Sequence, residues 1–259
     1  MSKSNEPILN KLFKDSNTYI EEATQTNKEE FIKVVESRRS VRIYDDSQVD
    51  EGDMLKCLEL SLLSANSSNL QPWEFYWVKD IDKKSKLIDY CLGQPAASTA
   101  KELIVCVARP DNWRLNTKLM LDLFKEKELP KAVSTYYNKI VPLAYNQGFL
   151  GIFGLIKKIS TFFIGLKRPI PREPTSFNDM KVWAHKSTAL ACQTLMLSLR
   201  AFGYDSCPME GIDSYKIKKL LKLPVKSQIC MVISAGKRAK NGVYGKRFRL
   251  NKDRFIKII

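Results

Sequence analysis

Histidine and acidic residues are scarce in this chain of 259 residues. It holds one histidine, His185, and its 28 Asp and Glu stand against 43 Lys and Arg, so the formal net charge is +15 at pH 7. One histidine permits at most one Cys–His or Ser–His–Asp site, and no nucleophile motif stands beside it. We therefore expect His185 to be a core or helix-surface residue, and the positive charge to require another explanation.

Several common signatures are also absent. The sequence contains no GxGxxG after a strand, no GxxxxGK[ST], no HExxH and no GxSxG. With only 11 Gly and 11 Pro in a chain that is 44% hydrophobic, collagen-like and disordered classes are excluded. The six cysteines form no CxxC pair and lie mostly in apolar runs, and the first residues lack a signal-peptide pattern. These features predict reduced core cysteines and a cytoplasmic protein.

Periodicity predicts a mixture of strands and long helices. Short β-branched or aromatic runs of strand length occupy residues 74–80, 102–109 and 228–236. Helical spacing of apolar residues covers 31–39, 53–63 and 179–202. We expect a short helical arm at 1–28 and one α+β or α/β domain at 29–259.

An apolar run at residues 149–166, FLGIFGLIKKISTFFIGL, is split by Lys157 and Lys158. It therefore fails the test of 18 nearly uncharged residues for a membrane span. Three interpretations stay open: a lid or dimer-packing helix pair, an amphipathic element that contacts a membrane surface, and a true span. The spacing of Gly148, Gly151 and Gly154 favours close helix packing over phosphate binding.

Three separated segments combine polar or basic groups with tight turns. Arg38-Arg39-Ser40-Val41-Arg42 offers guanidinium groups that bind phosphate through paired hydrogen bonds, although it also suits a solvated helix end. Residues 66–73 (NSSNLQPW) place carboxamides, which both donate and accept, before a strand, as in a capped turn or opposite a heteroaromatic ring. Residues 207–211 (CPMEG) form a loop whose glycine allows close approach of backbone N–H groups, and RFR follows at 247–249.

Together, RRSVRIYDDSQV, SSNLQPWEF, GYDSCPMEGID and the late RFR resemble the nitroreductase family of FMN-dependent oxidoreductases, from about Phe31 to Phe255. The resemblance implies an α+β three-layer sandwich, with a mainly antiparallel central sheet flanked by helices. It also implies an intertwined homodimer with FMN at the subunit interface. Residues 110–178 are longer than the corresponding part of the family and form a basic, apolar insertion.

The resemblance assigns roles to individual residues. It implies that the FMN phosphate and the pyrimidine edge of the ring are held by Arg38, Arg39, Ser40 and Arg42, with Arg247 and Arg249 at the phosphate. The partner subunit's flavin is reached by Ser67, Ser68 and Asn69. Gln94 lies near the ring or ribityl chain. Four residues lie against the isoalloxazine: Pro208, Met209, Glu210 and Gly211. A backbone N–H near Gly211 faces N5. A cation, Arg42 or Arg39, stabilises the reduced ring; no metal and no catalytic side chain are implied.

The implied activity is a ping-pong transfer of hydride from NADH or NADPH through flavin N5 to a quinone, a nitroaromatic or a similar small-molecule oxidant. One alternative is a family member that stores or senses flavin or performs reductive dehalogenation. Another is a quinone reductase that contacts a membrane surface through residues 149–166. Nucleic-acid binding by the basic tail, residues 237–257, lacks any module signature, so no nucleic acid is expected as a partner.

Overall fold

A four-stranded antiparallel sheet lies at the centre of the structure, a computed structural model that describes residues 20–125 and 131–259. Its strands are β1 (Trp73–Trp77), β2 (Glu102–Ala108), β3 (Asp205–Met209) and β4 (Gln228–Gly236), in the spatial order β1-β2-β4-β3. All three predicted strands are present.

The prediction of a loop at residues 207–211 is wrong for its first half, because Pro208 and Met209 belong to β3. Asp205 and Ser206 are poor strand formers, and proline normally interrupts a strand, so the local sequence does not predict β3. The strand tolerates Pro208 because it lies at the edge of the sheet, where one row of N–H groups needs no partner strand.

Helices cover both faces of this sheet. In chain order they are α1 (Lys28–Ser37), α2 (Glu51–Leu62), α3 (Ile81–Tyr90), α4 (Pro95–Ser98), α5 (Trp113–Lys125), α6 (Lys131–Thr135), α7 (Val141–Tyr145), α8 (Ile152–Gly165), α9 (Phe177–Ala201) and α10 (Ser214–Leu220). The predicted helices correspond to α1, α2 and α9, which begin two or three residues earlier than predicted. Their starts are set by side-chain caps: Asn27, Asp50 and Ser176 each accept a backbone N–H from three residues downstream.

Alternate residues of β2 enter two separate cores. Leu103 and Val105 pack in the cluster that contains Leu87 of α3 and Ile217 of α10. The intervening Ile104 packs in the cluster formed with α2 and α9. Since successive strand residues point to opposite faces, the sheet is buried on both sides. The predicted α+β three-layer sandwich with a mainly antiparallel sheet is confirmed.

The described parts of the insertion, residues 110–125 and 131–178, form a helical layer of their own at the β1 edge. The segment contains α5, α6, a π-helical turn (Tyr136–Ile140), α7, a 3-10 turn (Phe149–Gly151) and α8. Its residues join Leu70, Met180 and Trp183 in a third buried cluster. The apolar run forms one helix with a preceding turn rather than a helix pair. Of the three glycines predicted to allow close helix packing, Gly154 packs against the segment before α9, where a Cβ would lie 2.0 Å from the Thr175 carbonyl oxygen. A Cβ on Gly148 would lie 2.6 Å from that of Phe153, whereas Gly151 has open space around it and a positive φ of 79°, so the prediction is wrong there.

No single helix within the described ranges is both long and apolar enough to cross a bilayer. Residues Ala132–Tyr145 and Phe149–Gly165 reach that length and composition only when taken together, across a bend of 66°.

The predicted helical arm lies mostly outside the described residues, and residues 20–27 are exposed and irregular before α1. All six cysteines are free thiols, and five of them are buried. This agrees with their predicted place in the core.

Candidate functional site

The arginine motif runs alongside the edge strand β3. Val41 donates its N–H to the Ser206 carbonyl oxygen at 3.1 Å, and Ser40 pairs with Ser206 in a parallel bridge. On its other side, Arg42 donates its N–H to the Gly242 carbonyl oxygen at 2.8 Å. Val41 is fully buried, and because successive residues of an extended segment point to opposite sides, the adjacent Arg42 is directed away from the core. Two of the predicted segments are therefore neighbours.

The basic cradle is a cavity of about 220 Å³ between the arginine motif and the late basic segment. It is lined by Arg38, Arg39, Ser40, Arg42, Val243, Tyr244, Gly245, Lys246, Arg247, Phe248 and Arg249. No carboxylate is among these lining residues. The predicted phosphate-binding residues of the first and last motifs thus meet at one place, although more than 200 residues separate them in the sequence.

Backbone carbonyls and an aromatic ring hold the guanidinium groups of the cradle. Arg247 donates from Nη2 to the carbonyl oxygen of Arg38 at 2.5 Å, and Arg39 donates from Nη2 to that of Gly245 at 2.5 Å. The Arg42 guanidinium lies 5.2 Å from the centre of the Tyr244 ring, a cation–π distance. These partners orient the arginines but carry no negative charge, so none of the described residues that line the cradle compensates its positive charge.

The excess of positive charge affects the pKa of the half-buried Arg38. Burial lowers the pKa of its guanidinium, and the nearby cations Arg247 and Arg249 lower it further. Like charges brought together in a shielded place are costly unless an anion joins them. A phosphate group fits this requirement, because guanidinium groups match its oxygens through charge-assisted hydrogen bonds.

Gln94 and Gly211 meet at the other end of β3. Gln94 precedes α4 and donates from Nε2 to the carbonyl oxygens of Cys91 at 2.9 Å and Gly211 at 3.2 Å. Glu210 and Gly211 are exposed directly after β3, a strand of five residues that spans about 17 Å. The predicted flavin-ring residues therefore lie along the same strand as the cradle, one strand length away.

The loop Ser67–Asn69 lies at the opposite edge of the sheet. It precedes β1, whereas the cradle adjoins β3. The hydroxyl of Tyr145 lies 2.9 Å from Ser67 Oγ, that of Tyr136 lies 2.7 Å from Ser68 Oγ, and Tyr137 donates to the Ser68 carbonyl oxygen at 3.0 Å. A single chain thus keeps this loop away from the cradle; its contact with a partner subunit's flavin stays a prediction.

The same loop has an unusual backbone. Ser68, Asn69 and Gln71 have φ values of 60°, 47° and 45°, in the left-handed region that non-glycine residues rarely adopt. Gln71 is held by its N–H, which donates to Asn66 Oδ1 at 2.8 Å. Such strain concentrates at functional sites, where the surrounding structure maintains it.

Sequence reasoning missed the tyrosines at these two places. Tyr244 lies only three residues before Arg247, so its place beside the basic segment was a usable signal. Tyr136 and Tyr145 contact Ser68, which lies 68 and 77 residues away from them in the chain, and no local pattern connects them to it.

No metal site accompanies the cradle. Across residues 20–125 and 131–259, no group of three or more His, Cys, Asp or Glu could hold a metal ion. His185 is half-buried on α9 and lies near the thiol of Cys230. Its surroundings agree with the expected structural role.

Known proteins with similar sequences cover most of this chain. Protein DrgA from Synechocystis sp. is 28% identical over 211 residues, which are 81% of this chain and 84% of that protein. YdgI from Bacillus subtilis, named as an NAD(P)H nitroreductase, is 26% identical over 216 residues, 82% of this chain and 90% of that protein. Among solved structures, a nitroreductase from Exiguobacterium sibiricum in complex with FMN has a TM-score of 0.67 at 22% identity, covering 92% of this chain and all of that one.

The sequence model of one family matches residues 35–237, which contain the arginine motif, the strained loop and the whole sheet. The fold, the order of the motifs and this match agree, and the chain belongs to the nitroreductase family.

Proposed function

We propose that this chain transfers reducing equivalents from NADH or NADPH to a small-molecule oxidant such as a quinone or a nitroaromatic, in a ping-pong cycle with FMN bound in the basic cradle. Family membership makes it an FMN-dependent oxidoreductase with a nicotinamide donor. The observation that carries the proposal is the convergence of guanidinium groups without a carboxylate at the edge of β3.

The chain's own residues would bind and orient the cofactor. Arg38, Arg247 and Arg249 would hold the phosphate, and the segment at Gln94 and Gly211 would lie against the ring system. When bound, FMN supplies the redox chemistry of its ring at N5, which is why the chain needs no nucleophile. Arg42 or Arg39 would provide positive charge near the ring, where it favours the reduced form.

We further propose a homodimer with two sites. The Ser67–Asn69 loop and the cradle lie at opposite edges of one sheet, so one chain alone offers an incomplete site. A two-fold axis would place the loop of each subunit at the cradle of the other and would complete both sites. The left-handed backbone of the loop, which its hydrogen bonds maintain, supports a role in the partner's site.

The contacts of the basic tail, residues 237–257, argue against nucleic-acid binding. Arg238 donates from Nη2 to Asp205 Oδ1 at 2.6 Å, and Arg247 binds the Arg38 carbonyl oxygen. Arg238 is thus held in an internal ion pair, and Arg247 lines a cradle that fits a single phosphate group rather than a nucleic-acid backbone.

The visible spectrum of the purified protein tests the proposal. We expect a yellow protein that NADH or NADPH bleaches under anaerobic conditions, and whose colour a quinone or nitroaromatic restores. A colourless protein that cannot take up added FMN would contradict the central assignment. A yellow protein that neither nucleotide bleaches would instead indicate flavin storage or sensing.

Tyr145→Phe tests whether the strained loop contributes to the cofactor site. Its hydroxyl lies within hydrogen-bond distance of both Ser67 and Ser68, and one such bond is worth about 1 kcal/mol. We expect the FMN dissociation constant, measured by quenching of FMN fluorescence, to rise about five-fold. The matched control is Tyr215→Phe, at an exposed tyrosine on α10. Equal FMN dissociation constants for both variants would show that the loop does not contribute to FMN binding.

A further inference from the structure

Helix α8 presents its apolar side to solvent. Seven large apolar side chains, each more than half exposed, form what we call the outer face of α8: Ile152, Leu155, Ile156, Ile159, Phe162, Phe163 and Leu166. At 100° per residue they fall within an arc of about 120°. Such a continuous stripe normally packs against a protein core, so its exposure calls for a partner.

Polar contacts fix this orientation of the helix. On the inner side, Lys157 donates from Nζ to the carbonyl oxygens of Ala144 at 2.7 Å and Pro174 at 2.9 Å. Gly154 packs against the Thr175 carbonyl, where no larger side chain fits. Burial lowers the pKa of Lys157, yet the lysine stays tied to backbone oxygens. The helix thus turns its lysine inward and its isoleucines and phenylalanines outward, the reverse of an ordinary surface helix.

The charged residues in the segment that carries the outer face are all basic. Residues 129–172 contain no Asp or Glu. Lys158, Lys167 and Arg168 are all exposed on α8 or directly after it. A second copy of this face would bring the same positive charges together, whereas an anionic surface would neutralise them.

Two carboxylates border a groove of about 580 Å³ beside α8. Asp179 accepts hydrogen bonds from the backbone N–H groups of Thr175 and Ser176, and Glu173 shares the groove with Lys158 and Arg172. Internal hydrogen bonds and neighbouring cations therefore offset both carboxylates.

We propose that the outer face of α8 docks on an anionic lipid bilayer, with its apolar side chains in the interfacial region and its cations at the headgroups. With 14 residues, α8 is about 21 Å long and shorter than the roughly 30 Å hydrocarbon core, so it lies along the surface rather than across it. The contacts of Lys157 keep it attached to the body of the protein as it docks. The resulting contact is peripheral and reversible, and it strengthens as ionic strength falls.

Sedimentation with vesicles tests this docking on the full-length, FMN-loaded protein. We expect binding to phosphatidylcholine vesicles that contain 30% phosphatidylglycerol, and at least ten-fold weaker binding to phosphatidylcholine alone. Ile156→Asp with Ile159→Asp should reduce the affinity at least ten-fold. Its matched control, Ile81→Asp with Val225→Asp, changes two exposed apolar residues elsewhere and should bind as wild type does. Lys158→Glu with Lys167→Glu should also reduce the affinity, whereas Lys83→Glu with Lys86→Glu on α3 should not.

Each variant's flavin spectrum and thermal midpoint identify a loss of binding that comes from unfolding. Equal affinity for neutral and anionic vesicles, or full binding by the Ile156 and Ile159 variant, would overturn the proposal. So would a dimer that dissociates on these two substitutions, since a second copy would then be the occupant.

Discussion

Replacing Arg38 and Arg249 together with alanine is expected to raise the FMN dissociation constant roughly a hundred-fold to ten-thousand-fold. Each shielded, charge-assisted hydrogen bond to phosphate contributes about 1.5–3 kcal/mol, and the pair removes two such donors. Burial lowers the pKa of Arg38, and the nearby cations Arg247 and Arg249 lower it further, so this side chain already lies in positively charged surroundings. A fluorescence titration of the apoprotein with FMN measures the effect.

The control for this variant also removes two positive charges, at positions outside the cradle. Arg168→Ala with Arg254→Ala deletes two exposed arginines that do not line the cradle and should leave the dissociation constant unchanged. The double cradle variant should be at least as stable as wild type without FMN, because it relieves repulsion among like charges. If its FMN affinity equals that of wild type, the phosphate is held somewhere else.

Ile104→Ala is expected to lower the free energy of unfolding by about 2–5 kcal/mol. Ile104 is fully buried on a central strand, between the sheet and the layer of α2 and α9, and truncation leaves a cavity that the sheet cannot close. Chemical denaturation measures the change. FMN concentration must be the same for both proteins, because a ligand bound only by the native state adds to the apparent stability.

The same substitution at an exposed position isolates the effect of burial. Ile81 begins α3 and is 81% exposed, so Ile81→Ala should change the free energy of unfolding by no more than about 0.5 kcal/mol. Equal losses at the two positions would mean that Ile104 does not lie between packed layers.

The strands β1, β2 and β4 and the helix α9 could be predicted because their own residues carry the pattern. β2 and β4 are nearly continuous apolar runs, as strands buried on both faces must be, and α9 is apolar around most of its circumference. β3 could not, since its polar residues and Pro208 become a strand only through pairing with β4 along an edge. The pairing supplies the hydrogen bonds that local propensity does not.

For the site, the sequence identified the chemistry of the arginines, and their clustering required the fold. Arg38 and Arg247 lie 209 residues apart and meet because the arginine motif runs along β3 while the chain after β4 returns beside it. The sequence likewise showed Lys157 and Lys158 only as interruptions of an apolar run. Tertiary contacts turned Lys157 toward backbone oxygens and left the apolar residues facing outward.

By itself, then, the sequence determined one domain of mixed strands and helices and an anion-binding chemistry for part of its positive charge, since composition and periodicity carry that information locally. The choice of an α+β sandwich came from the resemblance of its motifs to the family. Only the tertiary structure decided that the cradle and the Ser67–Asn69 loop lie at opposite sheet edges and that α8 faces outward. Both depend on contacts between residues far apart in the chain, whose free energy exists only once the layers have packed.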